Sequence, residues 1–266
     1  MNAQETTGKI LTAVDGRVAT LTFHNPERHN SLSLQMWQDA ATELDRFAAD
    51  ESVRAIVLTG SGDKSFASGA DISEFDKVRA NAEGAATYEI ALERFWKALG
   101  DNPKPTVAMI RGFCIGGGLN VAACCDLRVC GEGSRFAVPA AKLGLGYGVS
   151  TMRRLMALVG PQFALEFLLT AQHFTSAEAL RIGLVNRVVP DGDVEAYTLG
   201  LVDKIAHNAP LTMFAAKRII HELLKSPEQQ DLAAGDALVK KCFDSEDYKE
   251  GRTAFFEKRT PVFKGR

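Results

Sequence analysis

Two small-residue segments carry the clearest chemistry in this chain of 266 residues: Phe66-Ala67-Ser68-Gly69-Ala70-Asp71 and Gly112-Phe113-Cys114-Ile115-Gly116-Gly117-Gly118-Leu119-Asn120. Each follows an apolar, strand-like run and opens toward a helical one. At such a junction the first backbone N–H groups have no helical partner and can converge on an oxygen. Ala70 and Gly117 are the candidate donors, because their small side chains permit close approach. Two N–H groups aimed at one point hold an enolate or tetrahedral oxyanion more tightly than the carbonyl that precedes it, and each donor is worth about 3 kcal/mol in a transition state. The same residues could instead serve only tight turns and helix–sheet packing.

Few other side chains compete for the chemistry. Tyr147, in the glycine-rich stretch Gly144-Leu-Gly-Tyr-Gly148, is a candidate proton donor, with packing or a plain hydrogen bond as the alternative. Asp71 and Glu74 offer carboxylates beside Ala70, although Asp71 could face away and Glu74 could be a solvated helix residue. His24 and His29 lie in a polar turn that could touch a ligand; His173, His207 and His221 read as surface or structural. No metal-ligand spacing occurs among the five histidines. The chain has no G-x-S-x-G, no H-E-x-x-H and no G-x-x-x-x-G-K-[ST], and its glycine run is not G-x-G-x-x-G.

Composition narrows the setting. With 46% hydrophobic and 24% charged residues the sequence has an ordinary globular balance, and a net charge of −2 gives no footprint for nucleic acid. The five cysteines are an odd number, mostly within apolar stretches, and read as reduced core thiols. Met1-Asn-Ala-Gln-Glu5 lacks a targeting pattern and no apolar run approaches a membrane span, so a cytoplasmic enzyme is expected.

The elements that must position these residues alternate between strand and helix. Lys9–Val14 and Arg17–Phe23 flank Asp15-Gly16 as a hairpin. Ser33 caps a helix carrying Leu34, Trp37, Ala41, Leu44 and Phe47, and Val53–Thr59 is the next strand. A helix over 85–99 stops at Pro103 and Pro105; Thr106–Ile110 is a buried strand delivering the glycine triplet, Leu119–Cys125 a compact helix, and Leu127–Cys130 a returning strand. Short helices over 151–159, 161–169 and 176–182 and an edge strand over 185–189 follow. Helices then dominate, over 194–207, 211–224, 229–243 and 246–258. This cadence predicts an α/β fold with mostly parallel pairing, a core over 1–190 and a continuous C-terminal helical region over 191–266.

The motifs together resemble the crotonase superfamily, also called the enoyl-CoA hydratase/isomerase family. The resemblance rests on Phe66-Ala-Ser-Gly-Ala-Asp-Ile72, Ile110-Arg-Gly-Phe-Cys-Ile-Gly-Gly-Gly-Leu-Asn-Val-Ala-Ala-Cys-Cys-Asp126, Leu169-Thr, Ala177-Glu-Ala179, Gly183-Leu-Val185 and Phe255-Phe-Glu-Lys-Arg259. It implies a spiral core of repeated ββα units and a C-terminal trimerisation region, giving a homotrimer or dimer of trimers. It implies an oxyanion hole at Ala70 and Gly117 for the thioester carbonyl of an acyl-CoA, with coenzyme A entering as part of the substrate and no separate cofactor or metal. Arg28, His29, Ala67 and Ile72 resemble the wall around the adenine and pantetheine portions. Lys258 resembles a basic residue near CoA phosphates, in the same or a neighbouring subunit, or is a plain surface charge.

The departures from that pattern concern the proton. Where hydratases of the family carry two glutamates, this chain has Asn120 and Ala140, and where certain isomerases and dehalogenases carry an aspartate it has Gly148. An amide orients water but does not act as a carboxylate base, and a methyl group exchanges no proton. The expected activity is stabilisation of a thioester enolate, as a lyase or isomerase; decarboxylation, or acyl-CoA binding without turnover, is the alternative.

Overall fold

The computed structural model describes residues 8–78 and 80–266; the targeting reading of Met1–Glu5 falls outside them. The chain opens with β1 (Lys9–Asp15) and β2 (Val18–His24), an antiparallel hairpin in register from Lys9↔His24 to Asp15↔Val18. Helix α1 (Leu34–Ala49) starts at Ser33, whose Oγ accepts the Met36 N–H at 3.2 Å, and buries Met36, Trp37, Ala40, Ala41, Leu44 and Phe47 along one stripe.

Three turns of the chain then repeat one unit. A longer strand enters a six-stranded sheet, a three-residue strand enters a four-stranded sheet, and helical material returns the chain. The first turn is β3 (Ala55–Gly60), β4 (Ser65–Ala67), α2 (Phe75–Val78) and α3 (Ala82–Gly100). The second is β5 (Thr106–Ile110), β6 (Phe113–Ile115) and α4 (Gly117–Cys124). The third is β7 (Leu127–Gly131), β8 (Arg135–Ala137), a 3-10 turn at Pro139–Leu143 and α5 (Val149–Thr170). The large sheet has the order β1-β2-β3-β5-β7-β10 and the small one β4-β6-β8-β9, completed by β9 (Phe174–Thr175), α6 (Ser176–Arg181) and β10 (Arg187–Val189). All pairings are parallel except β1–β2 and β8–β9. This is the expected α/β spiral of ββα units, followed by α7 (Val194–Ala206), α8 (Pro210–Leu223), α9 (Leu232–Asp244) and α10 (Glu246–Glu257).

Every residue of β3 and of β5 is buried, because the large sheet is covered on both faces. Ile56, Leu58, Ala108 and Ile110 face the main core shared with α1, α3, α4 and α5; Ala55, Val57, Val107 and Met109 face a second core closed by Val194 and Val202 of α7. One expectation changes. The small-residue segments are read from sequence as loops beyond strands, whereas Phe66-Ala67 and Phe113–Ile115 are strands themselves, too short for alternation to reveal. The helices expected over 151–159 and 161–169 are both present within α5, separated at Gly160, whose φ of 75° and ψ of 166° are non-helical, with Pro161 next.

Four cysteines are buried and Cys242 is half-buried, all unpaired by disulfides. Burial pushes the Cys114, Cys124 and Cys125 thiols up, as it does Cys130, to about 12. These are inert core side chains. No helix among the described residues is long and apolar enough to cross a membrane.

A buried ion pair joins the C-terminal helices to the sheet. Lys217 Nζ of α8 donates to Asp126 Oδ2 at 2.8 Å and to the Lys104 carbonyl at 3.1 Å, while the same Asp126 oxygen accepts the Thr106 N–H and Oγ1 at 2.7 and 3.0 Å. Removing one partner leaves the other charge buried without its counterion. Lys217→Ala is expected to lower the unfolding free energy by about 3 kcal/mol in urea denaturation. Lys97→Ala, which removes a surface pair 3.6 Å long, should change it by less than about 1 kcal/mol.

Candidate active site

The parallel pairing of β4 with β6, Ser65↔Phe113 and Ala67↔Cys114, releases the two small-residue loops side by side. Gly69 adopts φ +100°, and a Cβ there would lie 2.9 Å from the Gly117 nitrogen. A Cβ on Gly117 would lie 3.4 Å from the Ala70 nitrogen. The two N–H groups therefore occupy one small region, and only glycine at 69 permits both the backbone angle and the approach. Gly116, with φ 56° and ψ −119°, is the N-cap of α4 and supplies no side-chain cap, so the first turn of α4 keeps its N–H groups free of one. Ala70 is held by the flanking bonds of a short bridge to Leu32: the Leu32 N–H donates to the Gly69 carbonyl at 2.8 Å and the Asp71 N–H to the Leu32 carbonyl at 2.9 Å. Among the described residues neither the Ala70 nor the Gly117 N–H donates to a protein acceptor.

Tyr147 lies against this region. A Cβ on Gly116 would stand 3.7 Å from Tyr147 Oη and 4.0 Å from Pro139 Cδ. Burial pushes the Tyr147 phenol above its ordinary value, and the neighbouring Asn120 side chain pulls it back part of the way. An Asn120 N–H that donates to Oη leaves the phenolic proton free for another acceptor. Asn120 is 8% exposed and Ala140, beside Pro139, is 5% exposed, so both positions that the resemblance assigns to glutamates are buried and carry an amide and a methyl group. Gly148 is the N-cap of α5.

Both nearby carboxylates are engaged in bonds within the protein. Asp71 caps the 3-10 turn Ile72–Glu74 by accepting the Ser73 N–H at 3.1 Å, and pairs with Arg28 Nη1 at 3.0 Å. Glu74 Oε2 accepts the Leu34 N–H at 3.1 Å, at the start of α1. Glu74 is therefore tied to the start of α1 rather than being a purely solvated helix residue.

The remaining candidates divide into two groups. Arg28 and His29 are brought to the Ala67–Ile72 segment, since Arg28 Nη1 also reaches Ser73 Oγ and Ser68 Oγ donates to the Arg28 carbonyl at 3.2 Å. His29, at φ 52°, meets the Phe113 ring edge-on at 6.0 Å. Ile72 is 62% exposed beside Ala70, whereas Ala67 is wholly buried. Lys258 is an exposed αL cap at the end of α10, a helix whose principal neighbour in the chain is α9. His24 Nδ1 meets Ser61 Oγ at 2.7 Å. Among the described residues no group of three or more His, Cys, Asp or Glu is placed to hold a metal.

Sequence reasoning missed Asn30. Its Nδ2 donates to the Ser61 and Ser65 carbonyls at 3.0 and 2.6 Å while its Oδ1 accepts the Asn25 N–H at 3.0 Å, fastening the Arg28–His29 turn to the corner that leads into β4. Its φ of 55° is a conformation asparagine tolerates better than most residues, which is the one signal the sequence offers.

The Asp71–Arg28 pair yields a pH test. Burial raises the Asp71 carboxyl, but the two bonds to Ser73 and the Arg28 guanidinium outweigh it and hold the carboxyl below its ordinary value of 3.8. A carboxyl lowered by folding stabilises the native state above pH 3.8, and that contribution is lost as pH falls through the native value. Asp71→Asn should cost about 1–2 kcal/mol at pH 7, and its melting temperature should approach that of the wild type in scans from pH 5 to pH 3.

Comparison with known proteins agrees with this geometry. A family model described as enoyl-CoA hydratase/isomerase matches residues 14–266. The short-chain-enoyl-CoA hydratase of Clostridium acetobutylicum is 34% identical over 250 residues, covering 94% of this chain and 95% of the relative. The 2,3-dehydroadipyl-CoA hydratase of Escherichia coli is 33% identical over 258 residues, covering 97% and 99%. A crystal structure of an enoyl-CoA hydratase/carnithine racemase from Magnetospirillum magneticum superposes with a TM-score of 0.89 at 35% identity, covering 98% of this chain and 97% of that one. With the ββα spiral and the paired glycine loops already in place, these matches along nearly its whole length show that the chain belongs to the crotonase superfamily, the enoyl-CoA hydratase/isomerase family.

Proposed function

We propose that this chain is an acyl-CoA enzyme that forms a thioester enolate held by the Ala70 and Gly117 N–H groups and protonated by Tyr147. The observation that carries the reading is the meeting of two free N–H donors and a neutral phenol in one region. As the thioester oxygen gains charge, both donors strengthen, which lowers the barrier to the enolate. Arg28, His29 and Ile72 would line the coenzyme A portion, Ala67 being buried beneath them, and Lys258 would contribute charge to its phosphates.

The route to the enolate that best fits these residues is loss of carbon dioxide. Asp71 and Glu74 are engaged, and Asn120 and Ala140 supply no carboxylate. In an α-carboxy (malonyl-type) acyl thioester the bond from the α-carbon to the carboxylate breaks, its electron pair enters the enolate, and CO2 leaves without any base removing an α-proton. Tyr147 then gives its proton to the α-carbon and recovers one from water. A phenol whose deprotonation is disfavoured by burial stays protonated through neutral pH, as this step requires. Hydration, the activity named for the relatives above, would need a base that these positions do not offer.

The exposed apolar side chains of the C-terminal helices support assembly as a homotrimer or dimer of trimers. Phe255 and Phe256 are 79% and 76% exposed, and Leu223, Leu224, Leu232 and Val239 are also exposed. Burying such surface between copies is favourable at roughly 25 cal/mol per Å².

A panel of acyl-CoA thioesters assayed for hydration, decarboxylation and free-thiol release, alongside binding, tests the reading. CO2 release from malonyl-type thioesters is expected, with Tyr147→Phe slowing it by about 10²-fold. Rapid hydration of a short enoyl-CoA, lost on replacing Asp71 or Glu74, would refute it, and tight binding with no turnover would make the chain a binding protein. Bound acyl-CoA should place the thioester oxygen about 2.7–3.1 Å from both nitrogens. Sedimentation should give the mass of three or six chains, and Phe255→Ser with Phe256→Ser should release the single chain.

A further inference from the structure

A cavity lies at the ends of the large sheet's strands opposite to the small-residue loops. Its volume is about 710 Å³, and Arg17, Arg54, Lys104, Lys264 and Arg266 line it with Glu51 as the single acid. Arg54 immediately precedes β3 and Pro105, also in the wall, immediately precedes β5, whereas the small-residue loops follow the far ends of the same strands. A strand of this length spans roughly 20 Å, so the cavity and the Ala70–Gly117 donors are separate places.

The cations are only partly spent within the chain. Arg54 Nη2 donates to the Lys264 carbonyl at 3.1 Å, Lys104 Nζ caps the end of α1 at the Phe47 and Asp50 carbonyls, and Arg266 Nε faces Glu246 at 3.4 Å. Among the described residues Arg17 and Lys264 form no ion pair. Burial holds the Lys104 ammonium below the ordinary lysine value, and the neighbouring Arg54 pushes the same way against Asp50 and Glu51. An anion in the cavity would relieve that repulsion. Phe214 and Phe263 stand in the same wall and give it an apolar part.

We propose that this cavity is a second ligand site, taking a phosphate-bearing organic anion with its phosphoryl oxygens against Arg17, Arg54 and Lys264 and its apolar portion against Phe214 and Phe263. Several cations around a concave surface concentrate a polyvalent anion, and aromatic walls select one with a flat ring. The inference stands apart from the thioester reading, because none of its residues belongs to the oxyanion region.

Calorimetric titration of the full chain with ADP and with inorganic pyrophosphate tests it. ADP is expected to bind more tightly than pyrophosphate, with affinity falling at least 10-fold in Arg17→Gln/Lys264→Gln and falling steeply as salt is raised. Thermal melts verify that the variant is folded, and Lys264→Gln alone, at an exposed position, serves if the pair is not. Absence of ADP binding to the wild type, or binding whose stoichiometry and affinity are the same in the folded variant, would overturn the proposal.

Discussion

The parallel pairing of β4 with β6 governs the geometry of everything around the candidate site. Each of these strands is three residues long, yet their ladder places the exit of one small-residue segment against the exit of the other. Strands so short do not hold themselves together. They are held because β3 and β5, from which they issue, are locked between two hydrophobic cores. A residue shift in either long strand would turn its side chains from one core to the other, so the register is fixed by burial on both faces. The position of two backbone N–H groups thus follows from the packing of Ile56, Val57, Val107 and Ala108, residues remote from any chemistry.

Around that fixed point the polar groups sort by role. Asp71, Glu74 and Asn30, which by type alone could be reactive or ligand-binding, are consumed in fastening loops: Asp71 to Ser73 and Arg28, Glu74 to the start of α1, Asn30 to the Ser61 and Ser65 carbonyls. Tyr147 lies near the donors through Gly116. In the proposed site, main-chain N–H groups, a phenol and an amide carry no formal charge of their own, which suits the proposed reaction, in which the substrate brings the charge and the protein redistributes it.

Much of this was legible in the sequence, and the reasons differ by feature. The Asp15-Gly16 hairpin, the Ser33 cap and the uninterrupted apolar runs of β3 and β5 are local signals, and local signals survive into the structure. The small sheet was not legible, since three residues establish no period. The pairing of Arg28 with Asp71 joins positions 43 residues apart, and the bond from the Leu34 N–H to Glu74 spans 40; such contacts follow from topology and leave no mark in spacing. The proximity of the Ala70 and Gly117 loops follows from small residues at two neighbouring strand exits, whereas Lys258 rests on resemblance alone.

The Lys217–Asp126 bond carries a further consequence. It ties α8 to the first residue of β5 through Thr106, and Asp126 itself immediately precedes β7 in the short link from α4. Lifting α8 off the sheet therefore exposes an ion pair, a strand end and a helix exit in one event, while α7 leaving its place opens the second core. In terms of local opening, the amides at the start of β5 and those of α8 around Lys217 share one set of bonds and should open together.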